Sequence, residues 1–310
     1  MSARRTAVAL LTLFALAGCG GGTATATAVP TGSPAPTPSV VPSAVPAASA
    51  PSTAASPSTP SSTQEARYKA AEALIARKPG KLGIVVRDRV TGTVWRAGDP
   101  KALNWTGSTI KLAISTAILE RQHSGQLTLT AADKNNMRLS LVNSDNDATT
   151  ALWTKFDGPG MLDRFRTTYG MATLSVVPGY DTFWRNLRCS AEDLAALMSY
   201  VLDKLDGTDR AYLVTTLRGV ATLQHWGVWG AGPALHPGNK DGWAQKPDDG
   251  VTHWVTHSVG FAGDNERYVI AVMYRLPASG TLPDGAHTVS DLVATVFGAK
   301  VPASISMPAS

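Results

Sequence analysis

Apolar positions fall along this chain in blocks, and their spacing changes from one block to the next. Residues 63–77 place Ala70, Ala71, Leu74 and Ile75 on one side of a helix. The runs Lys81-Leu82-Gly83-Ile84-Val85-Val86-Arg87 and Thr93-Val94-Trp95-Arg96 flank the turn sequence Arg89-Val90-Thr91-Gly92, which is the pattern of a β-hairpin. From Ser108 the chain is apolar nearly all round a helix, through Leu112, Ala113, Ile114, Ala117, Ile118 and Leu119, until Glu120. A helix without a polar face belongs in the middle of a core. Further helices are predicted over 131–142, 147–155, 160–169 and 190–205. The last of these is marked by Ser190 and Asp193 at capping-box spacing. Strands follow around 240–243, over 252–262 and over 267–276, and a final helix over 288–297. This order predicts an α/β domain of the α+β type: a five-stranded, largely antiparallel sheet with helices on both faces and a helical subdomain, and both termini on one sheet face.

Ahead of this domain the pattern is of another kind. No charged residue occurs between Arg5 and Glu65, whereas ordinary globular sequence is about one quarter charged. Residues 1–19 carry Arg4-Arg5, an apolar run from Ala7 to Ala17 and then small residues, which is the layout of a secretion signal. The run is too short to span a bilayer as a mature helix. It ends in Leu16-Ala17-Gly18-Cys19, similar to a bacterial lipobox, so Cys19 is expected to be lipidated. An ordinary secretion signal that happens to hold a cysteine is the alternative. Residues 20–64 are almost wholly Ala, Pro, Ser, Thr, Val and Gly, with nine prolines. Such a segment buries too little apolar surface to fold, and its prolines favour a spacer of up to roughly 140 Å at about 3.1 Å per residue. The expected organisation is a signal (1–19), a disordered linker (20–64), one folded domain (65–300) and a short disordered tail (301–310). That places the domain outside the cell, held to the outer face of the membrane through the lipid anchor alone.

Charge and cysteine content narrow the function further. Without Arg4 and Arg5 the chain has 26 basic and 23 acidic residues, or +3. This is too small and too scattered a surplus to favour nucleic acid. With Cys19 lipidated, Cys189 has no partner for a disulfide and reads as a small buried apolar residue. His253 and His257 lie four apart on a strand, about 13 Å at 3.3 Å per residue, too far to share a metal ion. No phosphate-binding loop, nucleotide fingerprint or G-x-S-x-G elbow is present, so no cofactor and no metal is expected. Nothing in the pattern asks for more than a tethered monomer.

Three short motifs carry the chemistry: Ser108-Thr109-Ile110-Lys111, Ser144-Asp145-Asn146 and Lys240-Asp241-Gly242. A serine hydroxyl needs a base to become a nucleophile. Positions i and i+3 share a helix face, so Lys111 can reach the Ser108 hydroxyl. Burial in an apolar helix lowers the pKa of a lysine toward the neutral form that a base requires. Ser108 at the helix N-terminus also has the dipole in its favour. Each motif has a plainer reading: Ser108 as an N-cap with Lys111 solvated, Ser144-Asp145-Asn146 as another cap, Lys240 as an exposed strand lysine. The three together, in this order, favour the chemical reading.

With these motifs the chain resembles the class A β-lactamases and penicillin-binding serine hydrolases, whose signature is S-x-x-K, S-D-N and K-T-G. Within that superfamily it looks most like short actinobacterial β-lactamase-related lipoproteins, on Asn239-Lys240-Asp241-Gly242-Trp243, Trp254 and His257-Ser258-Val259-Gly260. The resemblance implies an acylated nucleophile at Ser108, its base at Lys111 and a proton relay at Ser144. It implies substrate contacts from Asn146, Lys240, Asp241, Gly242 and Trp243, with an oxyanion hole from the backbone N–H groups of Ser108 and Trp243. Trp105 and Trp243 are expected to line the cleft. The implied activity is acyl-enzyme formation on β-lactams or on peptidoglycan-like amides and esters.

Three departures bear on turnover. The loop 176–184 has no glutamate to activate water, and Asp181 is its one carboxylate, so deacylation is expected to be slow. Asp241 stands where the family has threonine; an ionised aspartate only accepts hydrogen bonds and repels a substrate carboxylate. Only 36 positions separate Ser108 from Ser144, which implies a more open cleft. The alternative function is a catalytically degenerate lipoprotein of the same fold that binds cell-wall material or a protein partner.

Overall fold

The computed structural model describes residues 61–308. The expected signal, Cys19 and the linker as far as residue 60 lie outside the described residues. Helix α1 (Ser62–Ala76) starts where the Ser61 hydroxyl accepts the Gln64 N–H, three residues before the expected domain boundary. The hairpin β1 (Lys81–Asp88) and β2 (Val94–Gly98) follows. A two-residue strand β3 (Asn104–Trp105) and a 3-10 turn (Gly107–Thr109) lead into α2 (Ile110–His123). Next come α3 (Ala131–Val142), α4 (Asn146–Lys155) and α5 (Leu162–Thr167). The strands β4 (Ser175–Val176) and β5 (Leu187–Cys189) pair with β3 in a small second sheet. Then follow α6 (Ala191–Asp203), α7 (Gly207–Arg218), β6 (Gly238–Asp248), β7 (Val251–Ala262), β8 (Tyr268–Arg275) and α8 (Leu282–Phe297).

The main sheet is antiparallel throughout, in the order β2-β1-β8-β7-β6. Its two faces are covered separately. On one side α2 and α6, with Phe165, Trp184 and Leu213, pack on Val85, Val259 and Ala271. On the other, α1 and α8 close over Ile84, Ile270, Val272 and Trp226. Both ends of the described domain therefore sit on one face, as the element order predicts. Every residue of α2 from Ile110 to Leu119 is buried, Lys111 among them. None of the described helices is long and apolar enough to cross a membrane.

Three readings of the sequence are corrected by the structure. Helix α7 was not foreseen, because Thr208, Asp209, Arg210 and Thr215 interrupt its apolar positions; its buried residues are Asp209, Leu213, Val214 and Leu217. Helix α8 begins six residues earlier than expected, at a Thr281–Asp284 capping box with Pro283 in its first turn. Part of the expected tail is packed: Ser306 bridges to His225, and Ile305 and Met307 lie against the α8-side core.

The α6 cap is as the spacing of Ser190 and Asp193 predicts, and it does more than cap. Buried Asp193 accepts from the Ser190 N–H (2.8 Å), the Ser190 hydroxyl (2.9 Å), the Thr173 N–H (3.0 Å) and the Thr173 hydroxyl. It thereby fastens the chain before β4 to the start of α6. Asp193→Ala strands those donors and should cost about 2–4 kcal/mol. Thermal denaturation should show a Tm lower by about 5–15 °C.

Candidate active site

Four segments meet at the free edge of β6. The 3-10 turn presents Ser108, α2 presents Lys111, the α3–α4 connection presents Ser144 and Asn146, and β6 presents Lys240, Gly242 and Trp243. The cleft between them holds about 220 Å³ and is lined by Ser108, Ser144, Asn146, Trp184, Arg185 and Trp243, among others.

Local backbone explains how these side chains arrive. Asp145 caps α4, its carboxylate accepting the Ala148 N–H at 2.7 Å, so the plain cap reading of the S-D-N segment holds for its middle residue. Ser144, just before the cap, has a φ of 55°, in the left-handed region that side-chain-bearing residues seldom occupy. That twist turns its carbonyl toward Lys111 Nζ, 2.6 Å away, while its hydroxyl faces the cleft. Gly242 is required by proximity: a Cβ there would stand 2.8 Å from the Ser108 nitrogen and 2.9 Å from the Thr109 nitrogen. The β6 backbone therefore runs directly against the turn that carries Ser108, the arrangement that paired Ser108 and Trp243 N–H groups would need.

Two lysines converge on one hydroxyl. Lys240 Nζ donates to Ser144 Oγ at 3.0 Å, and Lys111 Nζ lies 3.4 Å from the same atom. Lys111 is wholly buried; burial, then the charge on Lys240, pushes its pKa down to about 6. A neutral amine has two N–H donors and one lone pair. The shortest contacts of Lys111 Nζ are the Ser144 carbonyl (2.6 Å) and Asn146 Oδ1 (2.9 Å), with the Asp145 carbonyl at 3.3 Å; with the two donors on the shortest pair, the lone pair is left to accept a proton. Lys240 is also wholly buried and brought down to about 7. Its three acceptors, Ser144 Oγ, Gln224 Oε1 and the Asp241 carbonyl, suit the three N–H bonds of an ammonium. Ser144 Oγ accepts from Lys240, and its own proton is available to the Lys111 lone pair or to the cleft. Asn146, whose Oδ1 is held by Lys111, likewise has its amide N–H groups free.

Several expectations are revised. Lys111 was expected to meet the Ser108 hydroxyl; among the described residues no hydrogen bond joins them, and Lys111 is held by Ser144 and Asn146 instead. Asp241 is not a cleft residue. Strand alternation sends Asn239 and Asp241 to the face opposite Lys240 and Gly242. There Asp241, wholly buried, accepts from Asn239 Nδ2 at 2.7 Å, leaves Oδ2 without a partner, and has its carboxyl pKa raised well above the usual range by burial. Trp105 stands behind the cleft, stacked under Lys246 with Nζ 4.4 Å from the ring centre. His253 and His257 are buried. The His257 ring, kept neutral by burial with a pKa of about 4, donates to the Trp105 carbonyl and accepts the Tyr274 N–H. Asp181 accepts from Asn186 Nδ2 and is not among the cleft-lining residues.

Sequence reasoning missed Trp184, Arg185 and Gln224. Trp184 is buried with its ring 5.0 Å from Lys111 Nζ and its indole N–H donating to Thr150 Oγ1 at 3.2 Å. The Arg185 guanidinium lies over the same ring, 4.9 Å from its centre. No carboxylate lines the cleft among the described residues, whereas Arg185 and Lys246 do. Away from the cleft, His123, Asp206 and Asp209 bring their ligand atoms within 4.8 Å of one another at the far end of α2. Two of these three are exposed, and Asp206 already caps α7.

Among solved structures the chain is similar to PBP-A (20% identity, TM-score 0.62, covering 75% of this chain and 95% of that one). It is also similar to an ancestral class A β-lactamase (19%, TM-score 0.61, 75% and 99%) and to a β-lactamase from Xanthomonas campestris (19%, TM-score 0.60, 76% and 96%). No protein-family model matches the chain, and neither does any curated protein sequence. At these identities the likeness establishes the fold, that of class A β-lactamases and their PBP-like relatives.

The depressed Lys111 pKa has a measurable counterpart in stability. Its folded value is about 6 against an ordinary 10.5, so between those pH values the unfolded chain holds a proton that the native protein lacks. Stability therefore gains about 1.4 kcal/mol per pH unit from this residue as pH rises through that window, and the gain is absent below pH 6. Urea unfolding of the wild type and Lys111→Met across pH 6–9 should show their difference moving in favour of the wild type with that slope.

Proposed function

We propose that the protein is a serine hydrolase of the cell surface that forms an acyl-enzyme on Ser108 with β-lactams or peptidoglycan-like amides and esters, and releases it slowly. The observation that carries this reading is Lys111, an enclosed amine that is neutral near pH 7 and keeps a spare lone pair one helical turn from Ser108. Substrate entering the cleft brings its carbonyl to the Ser108 hydroxyl. As the oxygen attacks, its proton passes to Lys111, and the new oxyanion is met by the N–H groups of Ser108 and Trp243. Collapse breaks the C–N or C–O bond; Ser144 gives its proton to the leaving atom and regains one from Lys240. The acyl group stays on Ser108.

The cleft's cations favour an anionic substrate. Strand β6 is the edge of the sheet, and its outer backbone flanks the cleft, so an extended amide chain can pair with it. Slow deacylation is supported by the lack of a carboxylate in the cleft and by the Trp184 ring that walls off Lys111. The lipobox-like end at Cys19 and the linker after it support a monomeric domain tethered outside the membrane. A binding lipoprotein without turnover is the second reading, favoured by the unlinked Ser108 hydroxyl.

Intact-protein mass spectra after incubation with penicillins and cephalosporins test both. A stable adduct that disappears in Ser108→Ala supports the hydrolase; no adduct and no drug loss favours the binding protein; rapid drug loss without an adduct overturns slow deacylation. Acylation needs Lys111 neutral and Lys240 charged. Its rate should rise with pH through about 6 and fall again above about 7, which stopped-flow acylation at stepped pH would reveal.

A further inference from the structure

A buried glutamine outside every motif governs the second lysine. Gln224 is wholly buried at the end of a 3-10 turn (Thr222–Gln224). Its Nε2 donates to the carbonyls of Leu141 and Val142, both at 2.8 Å, in the last turn of α3 just ahead of Ser144. Its Oε1 accepts from Lys240 Nζ and from the Asp241 N–H (3.1 Å). The turn is further tied in by the Ala221 N–H to the Val142 carbonyl and by Asn239 Nδ2 to the Gln224 carbonyl, each 3.0 Å. One amide thus uses both its ends to set the distance between the strand that carries Lys240 and the connection that carries Ser144.

A carboxylate at this point would meet Lys240 as an ion pair, but could not also donate to the two α3 carbonyls. A glutamine does both jobs without a charge. We propose that Gln224 is the positioning residue that holds Lys240 against Ser144, as a neutral acceptor in place of a counter-ion. All three acceptors of Lys240 are then uncharged, so its positive charge remains available to a substrate anion and its proton is readily passed to Ser144. The role rests on the acyl-transfer reading above.

Other groups around Lys240 leave this assignment intact. Lys111 of α2 faces it across Ser144, and the charges of Asp145 and Arg185 act on Lys111. Asp241, on its own strand, turns its carboxyl to the opposite face and is driven toward its neutral form by burial; what charge it keeps pulls Lys240 upward, against burial, without a direct contact. On β7, His257 is neutral and bound to the Trp105 carbonyl. His225, next to Gln224, contacts the Val220 carbonyl, and Arg210 and Arg218 of α7 pair with Glu266.

The test pairs two variants that act in opposite directions. Gln224→Glu gives Lys240 a counter-ion and should move the alkaline limb of the acylation profile up by about one to two pH units; Gln224→Met removes one acceptor and should move it down by a similar amount. The acid limb, set by Lys111, should stay in place in both. NMR titration of ¹³Cε-labelled lysines, with Lys240 identified by its loss in Lys240→Arg, reads the same shifts without any turnover. Should Gln224→Glu fail to fold, the downward shift in Gln224→Met decides. If neither variant moves the Lys240 midpoint, or both move it the same way, the proposal is overturned. Opposite NMR shifts in a protein whose wild type forms no adduct would uphold the positioning role and overturn the hydrolase reading instead.

Discussion

Two amines brought out of water around a single hydroxyl are the constraint that the rest of this site serves. An ammonium placed in a protein interior without compensation costs several kcal/mol. The fold meets that cost in two ways. Lys111 is stripped toward its neutral form by the apolar shell of α2. Lys240 retains an ammonium's geometry because three uncharged acceptors surround it. Ser144 holds an unfavourable φ of 55° with its carbonyl on Lys111 and its hydroxyl on Lys240. Strain of this kind persists only where its surroundings over-determine it, and here the Asp145 cap and the α3 end, latched by Gln224, do so.

Strand β6 connects this cluster to the sheet. Its two-residue period sends Lys240 and Gly242 toward Ser108 and sends Asn239 and Asp241 the other way; Trp243, which also borders the cleft, sets its ring edge-on to Trp226. The aspartate that looks so awkward beside a substrate carboxylate is resolved by this alternation. It is a buried acid on the far side of the strand, and it imposes no repulsion on the cleft.

Much of this was legible in the sequence, for identifiable reasons. The period-3.6 and period-2 patterns and the continuous apolar runs locate the five strands of the main sheet and most of the helices, because those elements bury either one face or, like α2, β7 and β8, nearly the whole of themselves. Helix α7 escaped because Thr208, Asp209, Arg210 and Thr215 blur its apolar stripe, and β3–β5 because strands of two or three residues carry no period. Ser108, Lys111, Ser144, Asn146 and Lys240 were readable as motifs, since their spacing is short and local. Trp184 and Gln224 were not. Each reaches the site from a loop across the fold, and nothing in Phe183-Trp184-Arg185 or Leu223-Gln224-His225 distinguishes it from ordinary core sequence. The direction of Asp241 was equally hidden, because a motif gives a residue's place along a strand and not the face it takes.

The indole of Trp184 lies 5.0 Å from Lys111 Nζ and 4.9 Å from the Arg185 guanidinium. An aromatic excited state redistributes its electrons and responds to any charge that appears beside it. Trp184 is one of eight tryptophans in the chain, and the one with the Lys111 amine over its ring, so a charge appearing on that amine would perturb its emission.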